Sequence, residues 1–83
     1  MRGSLEAETA MITVKCFARY RALLGFSELQ VPAAPTLGEL LADPRFAGLP
    51  QDALLAVNQA FADRGVALAD GDEVALMPPV SGG

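Results

Sequence analysis

Thr36-Leu37-Gly38-Glu39-Leu40-Leu41, followed after two residues by Pro44, is the stretch on which the fold of this 83-residue chain turns. The Thr36 hydroxyl is spaced to accept the backbone N–H of Glu39 while the Glu39 side chain reaches back, a capping box that starts a helix. Leu37, Leu40 and Leu41 stand at i, i+3 and i+4, so one face of that helix is apolar. Pro44 ends or redirects it, because a proline inside a helix costs about 3 kcal/mol. A helix this short is marginal alone and must lie on a sheet.

The sheet is legible on both sides of it. Residues 12–18 (ITVKCFA) alternate, with Ile12, Val14 and Cys16 on one face and Thr13, Lys15 and Phe17 on the other, as a half-buried strand does. Residues 19–25 (RYRALLG) form a short helical turn or loop closed by a glycine, and residues 27–31 alternate again until Pro32 stops them. Residues 53–58 (ALLAVN) make a third, strongly apolar strand. A loop through Asp63-Arg64-Gly65 leads to a short strand at 66–68. Asp70-Gly71-Asp72 supplies a turn before the last strand, 73–77, where Val74 and Leu76 alternate with Ala75 and Met77. The expected order is strand, strand, helix, strand, short strand, strand. That is an α+β architecture, a mixed sheet with one main helix packed across it, for which the β-grasp is the commonest solution. Residues 1–10 (MRGSLEAETA) have no apolar period and read as a disordered leader, an expression scar or an alternative start; 11–77 form the domain and 78–83 a tail.

Composition removes whole classes of function. The chain has no histidine, no tryptophan and one cysteine, which leaves no ligand set for zinc or most transition metals and no base for a Ser-His or Cys-His pair. A ferredoxin-type cluster needs four cysteines. The net charge of −4 argues against nucleic acid, which is held by Lys and Arg on phosphates. No apolar run approaches the roughly 18 residues that span a bilayer, and 1–10 is acidic where a signal peptide is apolar. A lone cysteine on the inward face reads as a small core residue, and the simplest location is the cytoplasm.

Chemistry concentrates at the end, Met77-Pro78-Pro79-Val80-Ser81-Gly82-Gly83. The prolines fix φ near −65° and favour an extended exit from the sheet; at about 3.1 Å per residue, 78–83 reaches roughly 19 Å. Glycines at the tip pass a narrow channel and leave the terminal carbonyl unhindered. The residues alone leave open both a carrier tail and a frayed terminus of small residues.

Residues 11–83 resemble the small subunit of molybdopterin synthase, through ITVKCFARYRALLG (12–25), TLGELL (36–41), AVNQ (56–59) and LADGDEVALMPPVSGG (68–83). The DGDEV stretch is shared by many β-grasp proteins, but its continuation into PPVSGG is far more specific. Thiamin-type carriers also end in two glycines and usually lack the double proline. The departures are a shortened helix region interrupted by Pro44 and Met77 in place of a frequent aromatic.

The resemblance implies a ubiquitin-like sulfur carrier acting through the Gly83 carboxylate, with Gly82, Ser81, Val80, Pro79 and Pro78 threading into a partner. An E1-like enzyme uses ATP and magnesium to adenylate Gly83, a donor converts it to a thiocarboxylate, and the large synthase subunit takes the sulfur for a cyclic pterin phosphate. No cofactor is held permanently, the small subunit is not an enzyme alone, and the family assembles as a heterotetramer. Phe17, Met77 and Val80 would make an apolar partner patch, against the plainer reading of scattered surface hydrophobes; Arg21 matches a family contact position or is an ordinary solvated arginine. Two alternatives are a carrier for thiamin, cysteine or tRNA thiolation, and a β-grasp interaction module with incidental glycines.

Overall fold

The computed structural model describes residues 10–79. The first nine residues of the expected leader and Val80, Ser81, Gly82 and Gly83 of the tail lie outside that range.

The alternating segment 11–16 forms β1 (Met11–Cys16), with Ile12, Val14 and Cys16 buried as the pattern requires. Ala18, at φ 56°, breaks the strand before the expected boundary and turns the chain into α1 (Tyr20–Leu24). Gly25, at φ 88°, caps α1 in a left-handed conformation that suits glycine. Strand β2 (Glu28–Pro32) returns antiparallel to β1, pairing Ile12 with Val31 and Val14 with Leu29. Pro32 ends it as its last residue, at the sheet edge, where the missing N–H breaks no ladder.

Helix α2 (Leu37–Leu41) begins where the cap spacing placed it, and Thr36 Oγ1 accepts the Glu39 N–H at 3.2 Å. Its three leucines are buried, each contributing roughly 1.5–3 kcal/mol. Pro44 opens a 3-10 turn (Pro44–Phe46), with the Arg45 N–H donating to Asp43 Oδ1 at 2.9 Å. That turn delivers Phe46 into the core, edge-on to Phe26 at 6.0 Å between ring centroids. The proline thus redirects the chain inward.

Strands β3 (Leu54–Val57), β4 (Ala60–Phe61) and β5 (Glu73–Met77) complete a five-stranded sheet of order β2-β1-β5-β3-β4. The central strands β1 and β5 are parallel, and the other pairs are antiparallel. With α2 across one face, this is the β-grasp.

One expected strand is corrected. The short strand foreseen at 66–68 is not a sheet strand; its place in the sheet is taken by β4. Asn58 and Gln59, at φ 52° and 72°, make a two-residue turn whose twist joins β3 directly to β4. The 66–68 backbone is engaged elsewhere: the Leu37 N–H donates to the Val66 carbonyl, the Leu68 N–H donates to Pro35, and Ala67 forms an isolated bridge with Thr36. It braces the N-terminus of α2. Gly38 allows this approach, since its N–H donates to the Arg64 carbonyl at 2.7 Å and a Cβ there would sit 3.0 Å from the same oxygen.

Candidate functional site: the tail base and the open sheet face

A chain terminus is useful as a reagent only if the fold presents it. Here β5 lies in the middle of the sheet and runs parallel to β1, so both strands finish at the same end. The Phe17 N–H donates to the Leu76 carbonyl at 3.0 Å, which fixes the last residues of β5 just before the chain leaves. Pro78 and Pro79 follow without N–H groups, so the ladder cannot extend. Both prolines are half-buried, which seats the start of the tail against the domain.

The other end of β5 is held by a polar clasp. The Asn58 side-chain amide donates to Asp72 Oδ1 at 2.9 Å, the Glu73 N–H donates to Asn58 Oδ1, and the Ala69 N–H donates to Asp72 Oδ2. The Asn58 hydrogen bond, and then the Ala69 one, hold the Asp72 carboxyl below its ordinary range. The Met11 N–H donates to Asp70 Oδ1 at 2.8 Å, so the start of β1 is tied to the same turn.

The sheet face opposite α2 divides in two. Over β3, β4 and the later part of β5 it is apolar: Leu54 pairs with Met77, Ala56 with Ala75, and Phe61 stands opposite Ala56. Phe61 is 76% exposed, an unusual state for a phenylalanine on a sheet. A shallow depression of about 460 Å³ beside it is lined by Leu54, Phe61, Ala62 and Arg64, among others. Over β1 and β2 the same face is polar, with Thr13, Lys15, Glu28 and Gln30. Lys15 and Glu73 form an ion pair there, and the Glu73 hydrogen bond raises the lysine's pKa.

Of the partner residues read from sequence, Phe17 is 44% exposed and Met77 half-buried, and the two flank the tail base. Arg21 is exposed on α1, its Nε donating to the Ala18 carbonyl at 3.4 Å. Phe61 went unrecognised in the sequence because 60–61 did not read as a strand, with the Asn58 reversal as the available signal, and Leu54 read only as part of the apolar strand 53–58. Cys16 is buried among core residues, and burial pushes its thiol pKa up. Among the described residues no group of His, Cys, Asp and Glu is placed to hold a metal, and no helix is long and apolar enough to cross a membrane.

The fold and tail base define the class, and comparison with known proteins agrees. The ThiS family model matches residues 14–83, and the chain belongs to that family. The molybdopterin synthase sulfur carrier subunit of Escherichia coli (strain K12) is 40% identical over 81 residues, covering 88% of this chain and 100% of the relative. Small archaeal modifier protein 1 of Haloferax volcanii superposes with a TM-score of 0.71 at 30% identity, over 86% of this chain and 99% of that one. A complex of subunits 1 and 2 of the molybdopterin-converting factor from Helicobacter pylori contains a chain that superposes with a TM-score of 0.65 at 27% identity, over 88% and 99%.

Proposed function

We propose that this chain is the sulfur carrier subunit of a molybdopterin synthase, with the Gly83 carboxyl as its working group. One observation carries the reading: the central strand β5 is fixed at both ends and, beside an open apolar sheet face, gives way to Pro78 and Pro79, after which the sequence runs on to Gly82-Gly83.

A free carboxylate is a poor electrophile, so an E1-like enzyme must first activate it. A Gly83 oxygen attacks the α-phosphate of ATP, with magnesium held by that enzyme, and pyrophosphate leaves. A sulfur donor then displaces AMP to give the thiocarboxylate. The large subunit receives the tail, and the sulfur attacks a cyclic pterin phosphate; two such transfers make the dithiolene. Positioning and proton-transfer groups belong to the large subunit, which suits a chain with no catalytic pair of its own. Phe17, Leu54, Phe61 and Met77 form the docking face, Arg21 stands at its rim, and Val80 and Ser81 follow the prolines into the partner. The likeness to one chain of the Helicobacter pylori complex supports a large-subunit partner. The assembly is a heterotetramer in the cytoplasm.

The likeness to the Haloferax volcanii modifier protein favours a second reading, a carrier serving a different sulfur pathway by the same tail chemistry. Intact-mass analysis after incubation with the activating enzyme, ATP, magnesium and a sulfur source tests the shared step: one oxygen is exchanged for one sulfur. Co-purification with a pterin-binding large subunit separates the two, and stable pairing with a thiazole synthase instead defeats the first.

A further inference from the structure

An activated acyl end is open to capture by free amines as well as by sulfur, so a carrier of this kind must contend with its own nucleophiles. This chain has very few. Of its six basic residues, Arg2, Arg19, Arg21, Arg45 and Arg64 are arginines, which leaves Lys15 as the only lysine. Guanidinium stays protonated and does not acylate under these conditions. The single thiol, Cys16, is buried. Apart from the α-amino group, Lys15 is therefore the only accessible side-chain amine or thiol, its side chain 39% exposed.

Its position is specific. Lys15 lies mid-strand on the open face, in register with Ala75 of β5 and Glu28 of β2. Its Nζ is 2.5 Å from Glu73 Oε2. Glu73 is in turn rigidly placed, its N–H donating to Asn58 Oδ1 and its carbonyl accepting the Asn58 N–H at 2.7 Å. The clasp thus fixes the Glu73 backbone, and the side chain carries its carboxylate to the amine. The charged groups facing Lys15 are Glu73 and Glu28, both favouring the ammonium form.

We propose that Lys15 is the chain's single side-chain acceptor for the activated terminus of another copy, and that its pairing with Glu73 suppresses that joining. This rests on the activated Gly83 proposed above. In the suppressed reaction the ammonium gives up a proton to solvent and its nitrogen attacks the Gly83 carbonyl. The C–N bond forms, the C–O bond to AMP breaks, and a second proton leaves the nitrogen as the isopeptide is completed. A paired, protonated amine has no lone pair to begin it. Attack within one copy is disfavoured because Pro78 and Pro79 start the tail away from Lys15, which lies beside the preceding part of β5.

The test uses the full chain carrying a chemical thioester at Gly83, so that it does not depend on an activating enzyme. Wild type, Glu73→Gln, Lys15→Arg and the double variant are incubated at pH 8, and denaturant-stable dimer is quantified and mapped. Glu73→Gln raises the rate of Lys15-linked dimer several-fold, since each unit by which the lysine pKa falls gives roughly ten times more free amine. Lys15→Arg removes that species in either background. Equal rates in wild type and Glu73→Gln, a side-chain linkage elsewhere, or a Lys15-cyclised monomer overturns the proposal. A parallel arm offers the free carboxyl to the activating enzyme with ATP and magnesium. Failure to adenylate there counts against the carrier reading and leaves the thioester result standing.

Discussion

The two faces of the sheet carry apolar side chains for opposite purposes. On the α2 side, Ile12, Val14, Leu37, Val74 and Leu76 are fully enclosed, and the fold itself consumes their burial. On the other side, Phe61 and Phe17 remain exposed beside Leu54 and Met77, and the described fold does not bury them. Phe61 stands on the two-residue edge strand β4, and the contrast places stability on one face and, on the function proposed above, recognition on the other. The tail leaves from the end shared by both.

Deletion of Gly82-Gly83 gives the largest separation. Sulfur transfer is abolished while the melting temperature stays that of wild type, because the described core contains neither residue. Next comes Leu37→Ala on the enclosed face, which lowers unfolding free energy by about 2–5 kcal/mol in a denaturant titration. Phe61→Asp on the open face reverses the signature: stability stays within about 0.5 kcal/mol, while large-subunit affinity measured by calorimetry falls by about 2 kcal/mol or more, as for an anchoring aromatic. A loss of stability at Phe61 with no loss of affinity would erase the distinction between the faces.

A smaller effect probes the one buried side-chain polar atom left without a partner among the described residues. The Tyr20 hydroxyl is buried without a hydrogen-bond partner. Tyr20→Phe removes that desolvated group and stabilises the fold by about 1 kcal/mol. The smallest effect is at the clasp. Asp72 titrates lower in the folded chain than unfolded, so its contribution is complete above the ordinary carboxylate pKa and is lost as pH falls through the folded value. Asp72→Asn flattens the acid limb of the stability–pH curve.

Local patterns were enough for the strands that face the core, because period-2 burial at Ile12, Val14 and Cys16 or at Val74 and Leu76 is written in adjacent residues. The Thr36 cap and the Gly25 stop are equally local. What escaped was decided at a distance. The 66–68 segment has strand-like residues, but its hydrogen bonds go to the α2 start, and the need for glycine at 38 arises only from the passing Arg64 carbonyl. Strand β4 is two residues long and rests on positive φ at Gln59, a residue that does not advertise it. Of the open apolar face, Phe17 and Met77 were legible in the alternation, and its most exposed member, Phe61, came with that missed strand. The terminal glycines were legible as a pattern, with their chemistry coming through the family.

The most direct measurement adds one residue after Gly83 and follows single-turnover sulfuration of the cyclic pterin phosphate by the large subunit. Every core and face residue is retained, and only the position of the free carboxyl changes. The account predicts no oxygen-to-sulfur exchange at the new terminus and no sulfur delivered. Delivery at the wild-type rate would contradict it.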